Sequence, residues 1–231
     1  MKQKPIIELR NIWKIYQMGE ANVYALRGMN LKINRGKFIA IMGPSGSGKS
    51  TAMNMIGCLD RPTKGTVLLD DKDVSKMNES TLAQIRGKKI GFIFQQFNLI
   101  NTFNAIENVM LPLMFQNIPR QEQLSRAKEL LNLVGMGARA MHRPSELSGG
   151  EQQRIAIARA LANNPEMILA DEPTGNLDSK TGTEVMELIR KLNLEKNKTI
   201  ILVTHDKNLA KYAQKILYLK DGYIVKSLSG D

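Results

Sequence analysis

The chain has 231 residues, of which 42% are hydrophobic, and a formal net charge of +11 at neutral pH. This length suits one α/β domain with a modest insert, whereas two independent domains would be cramped. Its apolar runs fall far short of the roughly 20 residues that a membrane-spanning helix needs, and the charged N-terminal segment lacks the apolar core of a secretory signal. We therefore expect a cytoplasmic protein, in which the single cysteine, Cys58, excludes an internal disulfide.

The N-terminal part of the chain combines two strand patterns with a unit of strand, loop and helix. Ile6–Ile12 and Tyr24–Ile33 are predicted strands of an N-terminal antiparallel β part. Phe38–Met42 is a short apolar run typical of a buried inner strand, and Lys49–Leu59 is the predicted helix that follows it. A glycine-rich loop connects these two elements, which form the first βαβ unit.

The connecting loop has the full phosphate-binding pattern G-x-x-x-x-G-K-S. The backbone N–H groups of such a loop surround a phosphate chain, Lys49 adds positive charge near the β- and γ-phosphates, and the Ser50 hydroxyl can ligate Mg²⁺. An ordinary glycine-rich loop seldom has this spacing between a strand and a helix. We predict that ATP or GTP binds to Gly43, Pro44, Ser45, Gly46, Ser47, Gly48, Lys49, Ser50 and Thr51.

Three later apolar runs have the length and composition of inner parallel strands, namely Ile90–Phe94, Met167–Ala170 and Ile200–Thr204. Between residues 104 and 162 no strand pattern appears, and helical spacing dominates. The chain closes with a predicted hairpin whose two-residue turn is Asp221-Gly222.

These elements predict a single α/β domain over residues 1–231, with a P-loop core, a mainly parallel sheet and the N-terminal antiparallel β part. Because predicted strands lie on both sides of the helical stretch, we assign residues 1–95 and 163–231 to the α/β core. Residues 96–162 are then an inserted, all-helical subdomain.

Polar side chains follow two of the predicted inner strands. Asp171 and Glu172 lie at a strand end, on the edge where a parallel sheet presents its ligands. Asp171 is suited to hold Mg²⁺ together with Ser50, because this ion takes few protein oxygens and keeps several waters. Glu172 could accept a proton from the water that attacks the γ-phosphate. His205 would emerge at the same edge and could respond to the γ-phosphate.

Two further features have more than one interpretation. Gln95 ends a predicted strand and can offer its amide to both a metal and the attacking water, although Gln96 also fits on spacing alone. Ser148, Gly149 and Gly150 open a helix, so they form either a second anion site or only a serine cap.

In their order along the chain, these motifs and the segment Asn176-Leu177-Asp178 resemble the ATP-binding cassette (ABC) family from end to end. The resemblance implies ATP and Mg²⁺ as ligands, ATP hydrolysis, and a head-to-tail dimer of two copies with the nucleotide between them. The signature segment of one copy would complete the site of the other, acting in trans through Ser148, Gly149, Gly150 and Glu151.

The same resemblance implies roles for individual residues. Tyr16 corresponds to the aromatic residue that stacks on adenine, and Gln95 to the lever between the metal site and a membrane partner. Glu172 corresponds to the catalytic base and His205 to the switch residue. Asp178 lies in the loop that couples the two sites across the dimer.

Glu151 departs from the commonest family pattern, which has glutamine at this place. A carboxylate near a triphosphate is electrostatically unfavourable unless it points away. At a helix N-terminus, however, a negative charge interacts favourably with the helix dipole, so we expect little loss of function.

A narrower resemblance, to the macrolide-export and lipoprotein-release subfamily, rests on the segments Tyr24–Gly28, Gly57–Pro62, Phe94–Leu99 and Glu107–Leu113. It implies an integral membrane permease as partner, an export or mechanotransmission output, and a peripheral position on the inner face of the membrane. The charge of +11 also allows a soluble ABC-type ATPase that acts on nucleic acid or ribosomes. Such proteins generally carry a second cassette or an added domain, so we expect no nucleic-acid partner.

Overall fold

A computed structural model describes residues 4–229 of the protein. The strands are β1 (Pro5–Met18), β2 (Ala21–Asn34), β3 (Phe38–Met42), β4 (Lys64–Leu69), β5 (Lys72–Asp73), β6 (Ile90–Ile93), β7 (Met167–Asp171), β8 (Thr199–Val203), β9 (Lys215–Lys220) and β10 (Tyr223–Ser229). The helices are α1 (Lys49–Ile56), α2 (Glu79–Lys89), α3 (Ala105–Met114), α4 (Arg120–Leu133), α5 (Gly149–Ala160), α6 (Ser179–Lys196) and α7 (Lys207–Ala210). None of the helices in this range is long and apolar enough to cross a membrane.

The strands form two sheets. The first is antiparallel, in the order β2-β1-β4-β5. The second has the order β10-β9-β3-β8-β7-β6, and all of its neighbouring strands are parallel except the closing hairpin of β9 and β10. This arrangement confirms the predicted α/β fold with a mainly parallel sheet and an N-terminal antiparallel part.

Side chains of the inner strands alternate between two hydrophobic cores because successive residues of a strand point to opposite faces. In β3, Phe38, Ala40 and Met42 face the core formed with α3 to α6, while Ile39 and Ile41 face the core that contains α1 and the antiparallel sheet. All five residues are buried. Burial on both faces explains why this segment is a continuous apolar run.

The segment between β6 and β7 is helical, with α3, α4, α5 and two short 3₁₀ turns. Their apolar residues share one core with the parallel sheet. Pro112 lies inside α3, near its C-terminal end. The division into core and insert therefore stays a prediction, although every element of the proposed insert is helical.

Some element boundaries and four elements, the short helix α7 among them, differ from the sequence predictions. Helix α1 ends at Ile56, earlier than predicted, because Gly57 caps it and Cys58 has a left-handed backbone with φ 53°. Burial raises the pKa of the Cys58 thiol to about 12, which suits a packing role. Strands β4 and β5 and helix α2 were not predicted, and in α2 only Leu82 is buried, so the helix lacks an apolar stripe.

Gly91 is the point where β6 approaches the end of helix α5. A Cβ atom at this position would lie 2.3 Å from the carbonyl oxygen of Ala160 and 3.1 Å from Pro165 Cγ. Both neighbours belong to the main chain or to a rigid ring, so they cannot move aside cheaply.

We predict that Gly91→Ala lowers the free energy of unfolding by about 2 kcal/mol, because the added methyl group overpacks this contact. Gly87→Ala is the matched control, since its Cβ would meet only the flexible end of Gln116 at 3.4 Å. Urea denaturation of both variants measures the difference. Equal stability of the two would contradict the close packing of α5 on β6.

Candidate nucleotide-binding site

The predicted phosphate loop connects β3 to α1 and is packed between the two sheets. At Gly43, a Cβ atom would lie 2.2 Å from the carbonyl oxygen of Leu219 in β9. At Gly48, where φ is 99°, it would lie 2.4 Å from the carbonyl oxygen of Ala25 in β2. Because main-chain atoms press on both ends of the loop, only glycine fits at these two positions.

The side chain of Lys49 is held within this loop. Its Nζ donates hydrogen bonds to the carbonyl oxygens of Gly43, at 2.9 Å, and Pro44, at 2.8 Å. These contacts place the ammonium group where the loop would receive a phosphate chain. Ser50, in the first turn of α1, is exposed and can offer its hydroxyl oxygen.

The closing hairpin supports the loop from outside, which the sequence did not predict. The Gly222 N–H donates to the carbonyl oxygen of Ser47 at 3.1 Å, and the Arg27 N–H donates to the Gly222 carbonyl oxygen at 3.1 Å. The Arg27 guanidinium lies 5.4 Å from the ring centroid of Tyr24 and 5.9 Å from that of Tyr223. Tyr24 and Arg27 are far in sequence from Gly222 and Tyr223. Of these contacts, the sequence indicated only the Asp-Gly turn of the hairpin.

Glu172 and His205 meet at the sheet edge, as the strand ends predicted. Glu172 follows β7 with a left-handed backbone, φ 43°, which is unusual for a residue other than glycine. Its Oε1 accepts from the backbone N–H of His205 at 2.8 Å and lies 2.6 Å from His205 Nδ1. Its Oε2 accepts from the Thr204 hydroxyl at 3.0 Å.

Thr204 is a site residue that sequence reasoning missed. It is fully buried at the end of β8, and its Oγ1 also accepts the Asp206 N–H at 3.1 Å. These bonds fix the Glu172 carboxylate in one orientation while the His205 side chain stays largely exposed. A threonine directly before a histidine at a buried strand end was the available signal.

Asp171 is the last residue of β7 and lies beside Glu172. Burial raises the pKa of Asp171, the neighbouring charge of Glu172 raises it further, and the charge of Lys49 opposes both effects. Within residues 4–229 the Asp171 carboxylate makes no side-chain hydrogen bond or ion pair. A partly buried carboxylate without a partner fits a cation, and with the Ser50 hydroxyl it provides the oxygen donors that Mg²⁺ prefers.

Tyr16 lies on β1, and its ring is partly exposed. The hydroxyl donates to Asp60 Oδ2 at 3.1 Å, and the Lys14 ammonium lies 5.0 Å from the ring centroid. Lys14 also pairs with Asp60 Oδ1 at 2.7 Å. The ring is therefore held by its polar end, and its remaining surface is available for stacking.

Gln95 contacts the loop that follows Glu172. Its Nε2 donates to Asn176 Oδ1 at 3.3 Å, and Asn176 Nδ2 donates back to the Gln95 carbonyl oxygen at 3.0 Å. A Cβ atom at Gly175 would lie 2.8 Å from Gln95 Nε2, so this loop packs on the amide. Gln96 lines a shallow cavity together with Gln152 and Asn176. The choice between the two glutamines as the metal-linked residue stays open.

The signature segment begins helix α5 with a complete capping box. Ser148 Oγ accepts from the Glu151 N–H at 3.3 Å, and Glu151 Oε2 accepts from the Ser148 N–H at 2.9 Å. These bonds, together with Arg139 at 3.4 Å from Oε1, lower the pKa of Glu151. The Glu151 carboxylate therefore bonds to the N-terminus of its own helix. A carboxylate held in this way is the arrangement that avoids repulsion between Glu151 and a triphosphate.

The signature glycines lie against a different part of the same chain from the phosphate loop. A Cβ atom at Gly149 would meet Leu177, Phe97 and Asn176, and one at Gly150 would lie 2.3 Å from Thr181 Cγ2, so none of these contacts is with the phosphate loop. Asp178 caps helix α6 by accepting from the Lys180 and Thr181 N–H groups. Hydrogen bonding from Thr181 lowers the pKa of Asp178.

Comparison with known proteins identifies the family of this chain. The sequence model of the ABC transporter family matches residues 26–175. An uncharacterized ABC transporter ATP-binding protein of Thermotoga maritima is 54% identical over 221 residues, covering 96% of this chain and 94% of that protein. A macrolide export ATP-binding/permease protein of Syntrophobacter fumaroxidans is 50% identical over 221 residues, covering 95% of this chain and 31% of its own length.

The solved structures that resemble this chain include an ATP-binding cassette of Methanocaldococcus jannaschii, determined as a dimer in a post-hydrolysis state bound to ADP and Pi. It is 51% identical, with a TM-score of 0.90, and the match covers 97% of this chain and 99% of that chain. The phosphate loop, the acidic strand end and these matches lead to one conclusion. The chain belongs to the ABC transporter family and is an ATP-binding and ATP-hydrolysing cassette of that family.

Proposed function

We propose that two copies of this chain close head-to-tail on two molecules of Mg·ATP and thereby drive an integral membrane permease. The observation that supports the dimer is the separation, within one chain, of the phosphate loop from the signature glycines, whose nearest atoms belong to other elements. A signature segment from a second copy would supply a serine hydroxyl and helix N-terminal N–H groups to the γ-phosphate. The M. jannaschii relative forms a dimer.

In this dimer, the residues of each chain divide the chemistry between them. The phosphate loop and Lys49 hold the triphosphate, and the ring of Tyr16 stacks on the adenine. Mg²⁺, when bound by Ser50 and Asp171 with Gln95 nearby, neutralises charge on the phosphate oxygens.

Hydrolysis then depends on the pair at the sheet edge. Glu172 orients the attacking water and accepts its proton, while Thr204 and the His205 N–H hold the carboxylate in place. His205 extends from the same point into solvent, where it can contact the γ-phosphate. The strained backbone at Glu172 is the kind of feature that persists where an active site needs a fixed geometry.

The permease partner places the cassette on the inner face of the membrane as a peripheral subunit. Relatives named macrolide export ATP-binding/permease proteins support an export or mechanotransmission output, since this chain aligns with about a third of their length. The remaining two thirds of such a relative can contain the permease part that its name mentions. The permease docks between the α/β core and the helical insert.

We predict that Glu172→Gln lowers kcat for ATP hydrolysis by about 100-fold or more, because the attacking water loses its base. ATP binding is retained, so the variant accumulates as an ATP-bound dimer. Light scattering after gel filtration with Mg·ATP measures this, with Glu195→Gln, an exposed residue of α6, as the matched control. A variant that stays monomeric at saturating ATP would contradict the closed dimer.

Lys49→Ala should weaken ATP binding by about tenfold or more, since a charge-assisted contact to the phosphates disappears. Isothermal titration calorimetry with ATP measures the affinity, and Lys191→Ala, an exposed lysine of α6, serves as the control. Unchanged affinity in the Lys49 variant would mean that the nucleotide binds elsewhere.

Ser148→Arg should leave ATP binding to each monomer intact but block dimer closure, because the added bulk lies at the interface. Glu195→Arg, at an exposed position of α6, is the control that adds the same side chain away from the signature segment. Fluorescent ATP binding and the dimer fraction are measured in parallel. Hydrolysis by Ser148→Arg that still rises steeply with protein concentration would show that the signature segment is not at the interface.

A further inference from the structure

Gln153 is a fully buried amide in helix α5, the helix that begins with the signature segment. It lies four residues after Gly149, the first residue of that helix. Burying an amide in an apolar environment costs free energy unless its polar atoms are hydrogen-bonded. The contacts of this amide therefore indicate why a polar residue occupies the position.

The Gln153 amide bonds to two chain segments outside its own helix. Its Nε2 donates to the carbonyl oxygen of Pro173 at 2.5 Å and, in a longer contact, to that of Phe94 at 3.4 Å. Pro173 directly follows Glu172, and Phe94 directly precedes Gln95. One side chain of helix α5 thus holds the main chain next to the proposed base and next to Gln95.

The neighbouring residue Gln152 has a different pattern of contacts. Its Nε2 donates to the carbonyl oxygens of Pro144 and Leu147, at 3.1 Å each, and both residues lie just before helix α5 in the chain. Gln152 therefore fastens the start of its own helix. Gln153, in contrast, joins that helix to residues 20 and 59 positions away.

The bond to Pro173 acts on a strained part of the backbone. Glu172 has a φ of 43°, which residues other than glycine rarely adopt, and a following proline favours extended backbone instead. Such a conformation persists only where the surrounding structure imposes it. The Glu172 N–H donates to the Val203 oxygen at 2.9 Å, and the Glu172 oxygen accepts from the Gly175 N–H at 3.0 Å. Gln153 holds the carbonyl group one residue later.

The second polar atom of this amide has no partner. Within residues 4–229, the buried Oε1 of Gln153 accepts no hydrogen bond. A buried acceptor of this kind destabilises the folded state, and an apolar side chain of the same length would avoid that loss. Departures from the most stable choice are expected where function, rather than stability, determines the residue type.

From these contacts we propose that Gln153 is a positioning residue for ATP hydrolysis, which holds the backbone of Glu172 in its left-handed conformation and thereby the carboxylate in the place of the base. The inference rests on the proposed function, which makes Glu172 the base, and adds a residue that acts through it. Thr204 and the His205 N–H orient the carboxylate itself. Gln153 fixes the main chain from which that side chain extends, and so ties the base to the helix of the signature segment.

The first test is Gln153→Met in the full-length chain, which keeps the length and the helix preference of the side chain but removes the donor. We expect kcat for ATP hydrolysis to fall between about 10- and 100-fold, because a small displacement of a catalytic group strongly lowers the rate. The KM for ATP should stay within about twofold, since the variant leaves the phosphate loop unchanged.

Gln123→Met is the matched control for this variant. Gln123 is a buried amide at the start of α4, and its Nε2 donates to the Ile118 carbonyl oxygen at 2.7 Å. The substitution removes the same kind of hydrogen bond from a residue that bonds only to the segment before its own helix. We expect it to leave kcat and KM unchanged.

A double-mutant cycle then tests whether Gln153 acts through Glu172. In the Glu172→Gln background the base is already absent, so Gln153→Met should not lower the residual rate of single-turnover hydrolysis any further. Gln153→Glu, which keeps the size and puts an oxygen atom in place of the donor, should show the same non-additive loss. An equal fold-change with and without Glu172 would overturn the positioning role, as would full kcat in both Gln153 variants.

Thermal denaturation with and without Mg·ATP separates this inference from a purely structural role and from the proposed function. Each variant should keep the stabilisation by ATP that an intact phosphate loop gives. A loss of stability in the Gln153 variants, with kcat unchanged per folded molecule, would make Gln153 a structural residue only and leave the proposed function intact. If Glu172→Gln alone hydrolyses ATP at the full rate, the proposed function loses its base, and the inference is overturned with it.

Discussion

Backbone N–H groups can converge on a phosphate chain only where no side chain fills the inside of the turn. The packing around the loop after β3 depends on this constraint. The loop after β3 satisfies this constraint with a glycine at each end. The main-chain oxygens of Leu219 and Ala25 lie so close to these glycines that no side chain would fit there. Each oxygen belongs to a different sheet. The loop therefore has its shape only when both sheets and the closing hairpin are assembled around it, which couples ATP binding to the integrity of the whole fold.

The same edge of the sheet collects the groups that act on the nucleotide. Parallel pairing of β7 with β8 brings Asp171 opposite Val203, so Glu172 and Thr204 become neighbours one residue later. Glu172 reaches its position through a left-handed backbone, and three hydrogen-bonding groups from Thr204 and His205 hold its carboxylate. A base fixed in this way requires no rearrangement when a water arrives, which is the advantage of a preorganised site.

The helical insert connects two surfaces that have different partners. At one end, Ser148 and Glu151 cap α5 and present the signature segment to a second copy of the chain. At the other end of the same helix, Arg159 donates to the carbonyl oxygens of Phe97 and Asn98, in the segment after Gln95. Helix α5 is thus a link of twelve residues between the proposed dimer interface and the segment after Gln95. Movement at either surface would be transmitted along it as a rigid body.

The sequence by itself determined the features that depend on local pattern. Motif spacing predicted the loop from Gly43 to Ser50, and continuous apolar runs predicted the buried strands β3, β7 and β8. Both patterns are local, so they do not depend on the order of strands in the sheet. The hairpin turn at Asp221-Gly222 was equally clear, because both residues take positive φ angles. In contrast, α2 and the two short strands of the antiparallel sheet carry weak patterns, since few of their residues are buried.

Only the tertiary structure decided which distant residues meet. Thr204 became part of the site because a strand pairing places it beside Glu172, and the pair Arg27 and Gly222 supports the phosphate loop across nearly the whole chain length. The fold also turned the Glu151 carboxylate back onto its own helix cap and placed the Arg159 guanidinium against the carbonyl oxygens of Phe97 and Asn98. No local pattern encodes these contacts, because they depend on packing between elements that are remote in sequence.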